Sequence, residues 1–515
     1  MRDFIGIFGV VKYDEYMARQ VIMLYRIPLR SVLAGLLVLL LAVAARAQQP
    51  AGGVLALLPA DAVTRHTLAV DGRTLPYTAT AGTMPLFDQD GDRSAAVFTT
   101  AYVLDDAPAD TRPITFVFNG GPGASSAYLQ LGLAGPRAIA PDVVRDPARA
   151  TLQDNPDTWL AFTDLVFIDP VGAGWSRAAR PDKAEEFWGE RADAQSLAKV
   201  IALYLAQNRR GASPKFILGE SYGGYRSVKV ARVLQREQGV LVNGIVMVSP
   251  FMEGRLQVGA DRFALVAALR LPSLAAAALD RRDAFTPEAL ATAEHFALTD
   301  YLTTLAGRPP EGEAADAFYA RVARVAGLSP DVVARSRGFI GKTTLDQVGE
   351  GGAAIVSFYD AALSAPDPFP EAPPDDGSDP VLDGYTQALG GLFVGYAHDV
   401  LGFKTMLTFN LLNREIARKW KWEAGGSLLA SIDGDLRQLL VLNPDLDVLV
   451  AHGRSDIVTP YSISRYLIDH LPPLGREGRV VLKLYKGGHM FYFDASARTA
   501  FTADAAAFYL QQEAP

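Results

Sequence analysis

Cysteine is absent from the 515 residues of this chain. Disulfides, thiolate nucleophiles and cysteine-ligated zinc or iron–sulfur sites are thereby excluded. Histidine is scarce: six residues carry any imidazole chemistry there is. Basic charge is not in excess, with 49 Lys+Arg against 57 Asp+Glu and a formal net charge of −8. Such a balance offers no electrostatic footprint for a phosphate backbone, so nucleic acid is not an expected partner. No metal-ligand cluster or phosphate-binding loop stands out, and no cofactor is expected. What is present is ordinary globular composition, 49% hydrophobic and 21% charged, in a chain too long for one minimal domain.

An apolar run of 14, Val32 to Ala45, follows Arg26 and Arg30 and precedes Ala45-Arg46-Ala47. A spanning helix needs about 20 such residues. A positive flank, a short apolar core and small residues before the cut are the parts of a secretory signal peptide. Cleavage after Ala47 would make Gln48 the first mature residue, and Met23 is a plausible true start. The expectation is export, to the periplasm or medium of a bacterium, with no stable membrane anchor; a short retained anchor is the alternative. Without disulfides, stability after export has to come from a large core.

Further along, short apolar runs alternate with helical patterns. Ile114–Phe118, Leu165–Ile168, Phe216–Leu218, Ile245–Val248, Val448–Val450 and Val480–Leu482 suit strands buried on both faces. Ala192–Gln207 carries Leu197, Val200, Ile201 and Leu205 at helical spacing. Alternation of this kind predicts an open, mostly parallel α/β sheet, with an antiparallel start around His66–Val70 and Ala95–Phe98. After Pro250 the rhythm breaks into Ala- and Leu-rich helical patterns and a Pro/Asp-rich loop, Pro366 to Pro380. The expected organisation is a leader (1–47), a first core segment (48–251), a mainly helical cap insertion (252–432) and a second core segment (433–515).

Gly219-Glu220-Ser221-Tyr222-Gly223 lies between a strand pattern and a helical pattern, the setting of a nucleophile elbow. A serine hydroxyl needs a base. His489, in the loop after the last strand, is the candidate; His452 competes, and His470 lies in a helical pattern with Tyr466 and Leu467. The acid that orients the base is expected at Asp456, after the penultimate strand; the rival Asp447 sits at the wrong end of a parallel strand. Acyl transfer also needs donors for a developing oxyanion. Asn119-Gly120-Gly121-Pro122-Gly123 follows a strand, and the amides of Gly121 and Tyr222 are the natural donors.

With these segments in view, the chain resembles the serine carboxypeptidases. The resemblance rests on FVFNGGPGASS (116–126), NPDTW (155–159), DPVGAGWS (169–176), GESYGGYR (219–226), GRSDIVTP (453–460) and GGHM (487–490), in that family's order. It implies an α/β-hydrolase fold with Ser221, Asp456 and His489 as a triad, and hydrolysis of peptides with a free C-terminus. It further implies that Asn119 and Glu220 bind the substrate's terminal carboxylate, and that acidic pH, which keeps Glu220 protonated, favours activity. One departure stands out. The second Glu that the family carries before a Gly-Pro pair is missing: Leu131-Gly132-Leu133-Ala134 precedes Gly135-Pro136, with Arg137 as the nearest alternative partner for a carboxylate.

Two other readings share these residues. One is an esterase or acyltransferase with the same triad on a non-peptide substrate, since fold and triad do not decide substrate. The other is a binding protein on an inactive hydrolase scaffold. Trp175, Tyr222 and Tyr225 could line a pocket or pack in the core.

Overall fold

Apolar runs become strands where both faces can be covered. The computed structural model describes residues 53–140, 147–345, 354–367 and 379–511. The leader Val32–Ala45, its cleavage site and Met23 lie outside them, as does most of Pro366–Pro380. Two units are distinguished, residues 1–56 and 57–515. Of the first, only residues 53–56 are described, entering a 3-10 turn at Val54–Leu57. The second carries the sheet and the candidate site.

That sheet begins with β1 (Ala62–Val70), β2 (Arg73–Phe87) and β3 (Arg93–Leu104), an antiparallel meander. The remaining strands are β4 (Ile114–Phe118), β5 (Asp164–Ile168), β6 (Lys215–Glu220), β7 (Gly244–Val248), β8 (Asp447–Gly453) and β9 (Val480–Tyr485). Their order is β1-β2-β3-β5-β4-β6-β7-β8-β9, with the two-residue strand Arg177–Ala178 added on β3. From β5 to β9 every pairing is parallel. β4, β5, β7 and β8 are buried at every residue, as their unbroken apolar runs require. In such a sheet, ligands bind beyond the carboxyl ends of the strands, and the loops after β4, β6, β7, β8 and β9 converge there.

Helices close both faces. α1 (Glu190–Gln207) buries Leu197, Val200, Ile201 and Leu205, and α2 (Tyr222–Val233) packs beside it. The stretch between β7 and β8, expected as the cap, has two parts. Around α3 (Ala264–Arg281), residues such as Leu271, Leu274, Phe296, Tyr301, Val322 and Val333 form a separate helical core. That core takes in Ile457, the neighbour of Asp456. A short hairpin, Ala354–Val356 with Ser364–Pro366, lies within this part. From α4 (Pro380–Asp399) onward the chain returns: Leu389, Phe393 and Tyr396 join Phe98 and Tyr102 in the core on one face of the sheet. The return stretch then touches the core loops through bridges Ala124–Leu412, Gly174–Asn410, Gly189–Lys421 and Glu253–Ser431. α5 (Tyr461–Asp469) and α6 (Ala495–Gln511) complete the second segment; Phe501 and Tyr509 of α6 cover the face opposite α1.

Candidate active site

β6 ends at Glu220 and α2 begins at Tyr222, so Ser221 alone makes the turn. Its φ is 59° and ψ −124°, a region that costs a non-glycine residue of order 1–3 kcal/mol. The turn is held from three sides: Ser221 N–H donates to the Val248 carbonyl at 2.9 Å, and its own carbonyl accepts from Gly224 at 3.0 Å and Phe251 at 3.1 Å. The flanking glycines are required by crowding. A Cβ on Gly219 would lie 2.0 Å from the Gly223 carbonyl oxygen, and one on Gly223 would lie 2.6 Å from that of Phe118. Ser221 itself remains half-buried.

The loops after β8 and β9 bring Asp456 and His489 together. His489 Nδ1 lies 2.8 Å from Asp456 Oδ2. The carboxylate is fixed independently: its Oδ1 accepts from the amides of Val458 (2.8 Å) and Thr459 (3.0 Å), and Thr459 Oγ1 reaches Oδ2 at 2.7 Å. Ser249 Oγ donates to the His489 carbonyl at 2.8 Å, so the segment that anchors Ser221 also anchors the histidine. The Tyr359 ring meets the imidazole edge-on at 5.2 Å. Burial pulls the His489 pKa down, but the charge and hydrogen bond of Asp456, with the charge of Glu220 behind them, overcome this and hold it above its ordinary value. Donation from Nδ1 to Asp456 leaves Nε2 as the basic nitrogen.

The glycine-rich loop after β4 abuts the serine turn. A Cβ on Gly120 would sit 2.6 Å from Tyr222 N and 2.7 Å from the Glu220 carbonyl oxygen. Gly121, at φ +100°, follows at the exposed tip. Buried Asp169, just beyond β5, holds the far side of the loop. Its Oδ1 accepts from Ser126 N (2.7 Å), Ser126 Oγ (2.8 Å) and Ser125 Oγ (3.0 Å). At Gly174 a Cβ would come within 1.6 Å of Asp169 Oδ2, so the second glycine motif leaves room for this carboxyl. On the insertion side, Asn413 ties both glycine loops, its N–H to the Gly123 carbonyl at 2.9 Å and its Nδ2 to that of Gly172 at 3.1 Å.

Beside Ser221, Asn119 Nδ2 donates to Glu220 Oε2. The amide's other end accepts from Leu129 N–H at 3.2 Å, which fixes its orientation. Tyr492 O–H donates to Glu220 Oε1 at 2.8 Å. Burial pushes the Glu220 carboxyl up to about 6, against the charge of His489 and the bonds from Tyr492 and Asn119.

All seven residues singled out from the sequence therefore gather at one end of the sheet. The rivals do not. Asp447 pairs with Arg476 at 2.5 Å at the opposite end of β8. His452 is buried with Nε2 2.8 Å from Ser464 Oγ, and burial pulls its pKa down to about 4. His470 is exposed and bonded to the Tyr466 carbonyl. Arg137 reaches Asp154 at 2.5 Å on an exposed hairpin, not Asn119 or Glu220. Trp175 is core, its Nε1 on the Leu407 carbonyl at 3.0 Å and its ring among Phe98, Phe393, Phe403 and Phe409. Tyr222 and Tyr225 stack at 5.3 Å and are buried. Sequence reasoning missed Tyr492, Asp169, Thr459 and Asn413 as parts of the site. Asp169 and Thr459 stand inside the quoted motifs, and Tyr492 stands three residues after His489. Next to His489 opens a cavity of about 580 Å³ lined by Tyr359, Asp360, Tyr385, Gly488, Met490 and Phe493 among others.

Residues 90–257 match the family model of serine carboxypeptidase. Serine carboxypeptidase-like 51 of Arabidopsis thaliana is 34% identical over 125 residues, 24% of this chain and 25% of that protein. Serine carboxypeptidase-like 36 of the same plant is 29% identical over 156 residues, 29% of this chain and 30% of that protein. The match thus spans between a quarter and a third of these relatives' length. Among solved structures, a prohormone-processing carboxypeptidase from Saccharomyces cerevisiae aligns over 84% of this chain and 91% of its own, with TM-score 0.54 and 15% identity. The fold is that of an α/β-hydrolase.

Proposed function

From the serine carboxypeptidase segment that this chain carries at residues 90–257, we propose that it is a serine-type carboxypeptidase that removes the C-terminal residue of peptides. Ser221 Oγ attacks the last peptide carbonyl as His489 Nε2 takes its proton. Asp456 holds the imidazole and balances the imidazolium. The amides of Gly121 and Tyr222 receive the oxyanion. His489 then protonates the leaving amine, and water, activated by the same base, releases the acyl group from Ser221.

The observation that carries the choice of substrate is Glu220. An esterase needs the triad but has no use for a buried carboxyl beside the nucleophile, bonded to an amide whose second N–H is free to donate. A neutral Glu220 and Asn119 together can donate to a terminal carboxylate. The acyltransferase or esterase reading keeps the triad and lacks this use for Glu220.

The pH dependence follows. Below about 6 Glu220 is protonated and a free-acid substrate binds; above it two negative charges face each other, so KM for free acids should climb as pH rises through about 6. His489 must lose its proton to act, so kcat should rise over the limb set by its elevated pKa. The two limbs oppose each other, giving a bell for free acids and only the ascending limb for C-terminal amides. Glu220→Gln cannot ionise; it should flatten the climb in KM. It should also shift the ascending limb to lower pH, because the Glu220 charge helps His489 keep its proton. Steady-state kinetics on a blocked dipeptide and its amide, from about pH 4 to 8, check this. An unchanged alkaline KM profile in Glu220→Gln would remove the carboxylate-binding role and favour the esterase reading.

We further propose that the chain is exported, supported by the leader pattern at Val32–Ala45. Among the described residues no helix is long and apolar enough to cross a membrane. The reported relatives are plant proteins, so they lend no support to a bacterial periplasm. N-terminal sequencing of exported material should begin near Gln48; finding Val32–Ala45 retained would overturn the leader.

A further inference from the structure

The missing acid before Gly135-Pro136 leaves a question about what helps Glu220 hold a substrate carboxylate. The Leu131–Ala134 segment is buried. There Gly132 lies against an aromatic pair: a Cβ on it would come within 2.6 Å of Tyr492 Cε2 and 2.8 Å of Phe493 Cε1. The absent side chain is what lets the Tyr492 ring approach. Tyr492 is fully buried, wedged between Phe491 and Phe493, and its hydroxyl ends 2.8 Å from Glu220 Oε1. We propose that Tyr492 is a positioning residue that orients the Glu220 carboxyl, and so selects for free-acid substrates, where the second acid is missing.

The chemistry is directional. The phenol stays protonated, since burial and the adjacent carboxyl push its pKa well above 10, so Tyr492 is the donor and Oε1 the acceptor. The carbonyl oxygen is the better acceptor of a neutral carboxyl, so the Tyr492 O–H, a stronger donor than the Asn119 amide, favours Oε1 as the carbonyl oxygen and leaves the hydroxyl at Oε2, whose oxygen still accepts from Asn119 Nδ2. The acid's proton is thereby placed on Oε2, the oxygen next to Asn119 Nδ2. Glu220 Oε2–H and the second N–H of Asn119 then form two adjacent donors, matched to the two oxygens of a carboxylate. Without the Tyr492 hydroxyl, the proton is free to reside on either oxygen and half of the pairing is lost. The ionisable groups facing Glu220 are His489, Asp456, Tyr128, Tyr359 and Tyr492. Of these, Tyr492 is the one whose side chain bonds it.

This inference rests on the carboxypeptidase reading, and one experiment separates the two. kcat and KM are measured across about pH 4 to 8 for a blocked dipeptide and its C-terminal amide, in the wild type and in Tyr492→Phe. The phenyl ring keeps its packing. Preference for the free acid, expressed as the ratio of the two kcat/KM values at acidic pH, should fall about tenfold through KM. Because the lost bond favours the ionised carboxyl, the alkaline climb in KM should also move to higher pH. Gly132→Ala, which pushes the ring while keeping the hydroxyl, should lower the same ratio, and it decides the matter if Tyr492→Phe does not fold. A wild type without preference for the free acid overturns the carboxypeptidase reading. A wild type that has the preference, with folded variants that retain it in full, overturns the role of Tyr492.

Discussion

Ser221→Ala should leave a folded protein whose peptide turnover is lower by roughly 10⁴-fold or more, the cost of deleting a triad nucleophile. The fold should survive because the substitution removes only Oγ. The strained φ of 59° is already borne by a residue with a Cβ, and the bonds that hold the turn use backbone atoms only. Residual rate would come from the Gly121 and Tyr222 amides and from substrate binding. The checks are kcat on a blocked dipeptide, labelling by a fluorophosphonate, and a thermal melt. Labelling should vanish while the melting temperature stays close to that of the wild type. A variant that kept a tenth of the wild-type rate would remove Ser221 from the mechanism, whereas a wild type with neither turnover nor labelling would revive the inactive-scaffold reading.

Asp456→Asn should cost about 10⁴-fold in kcat with little change in structure. The reason lies in which oxygen is committed where. Oδ1 accepts two backbone amides, from Val458 and Thr459, so in the variant the amide oxygen stays there and the NH2 takes the place of Oδ2. That NH2 faces His489 Nδ1 and turns it into an acceptor. The proton is forced to Nε2, and the imidazole can no longer take one from Ser221. The charge that holds the His489 pKa up is lost as well, so raising the pH does not restore the rate. A kcat/KM profile from about pH 5 to 9 tests this; a loss smaller than tenfold at every pH would show that Asp456 does not set the tautomer.

Much of this was legible in the chain. Strands with unbroken apolar runs came out buried on both faces because a parallel sheet under helices leaves them no solvent side, except β9, expected to be buried likewise at Val480–Leu482, which lies at the sheet edge with Val481 and Lys483 exposed. The antiparallel start was readable because alternation marks one wetter face, as in β1. Ser221 was visible as a candidate because its setting is local, a strand, a forced turn and a helix in direct succession. Asp456 and His489 were reachable because strand order dictates which loops share an edge. Arg137 misled as a possible carboxylate partner because nearness in sequence to Gly135-Pro136 says nothing of direction, and the hairpin turns it towards Asp154.

The sequence by itself determined the class of sheet and pointed to a candidate nucleophile and its candidate helpers, since each depends on patterns whose partners lie a few residues away or on strand ends that topology must bring together. Only the tertiary structure decided what surrounds them. The Tyr492 hydroxyl meets Glu220 across 272 positions, Asp169 grips the glycine loop across 43, and Asn413 joins two loops from within the insertion. Those contacts have no periodicity and no local spacing. They exist because burial brings a donor to an acceptor that water no longer serves, and that proximity is a property of packing.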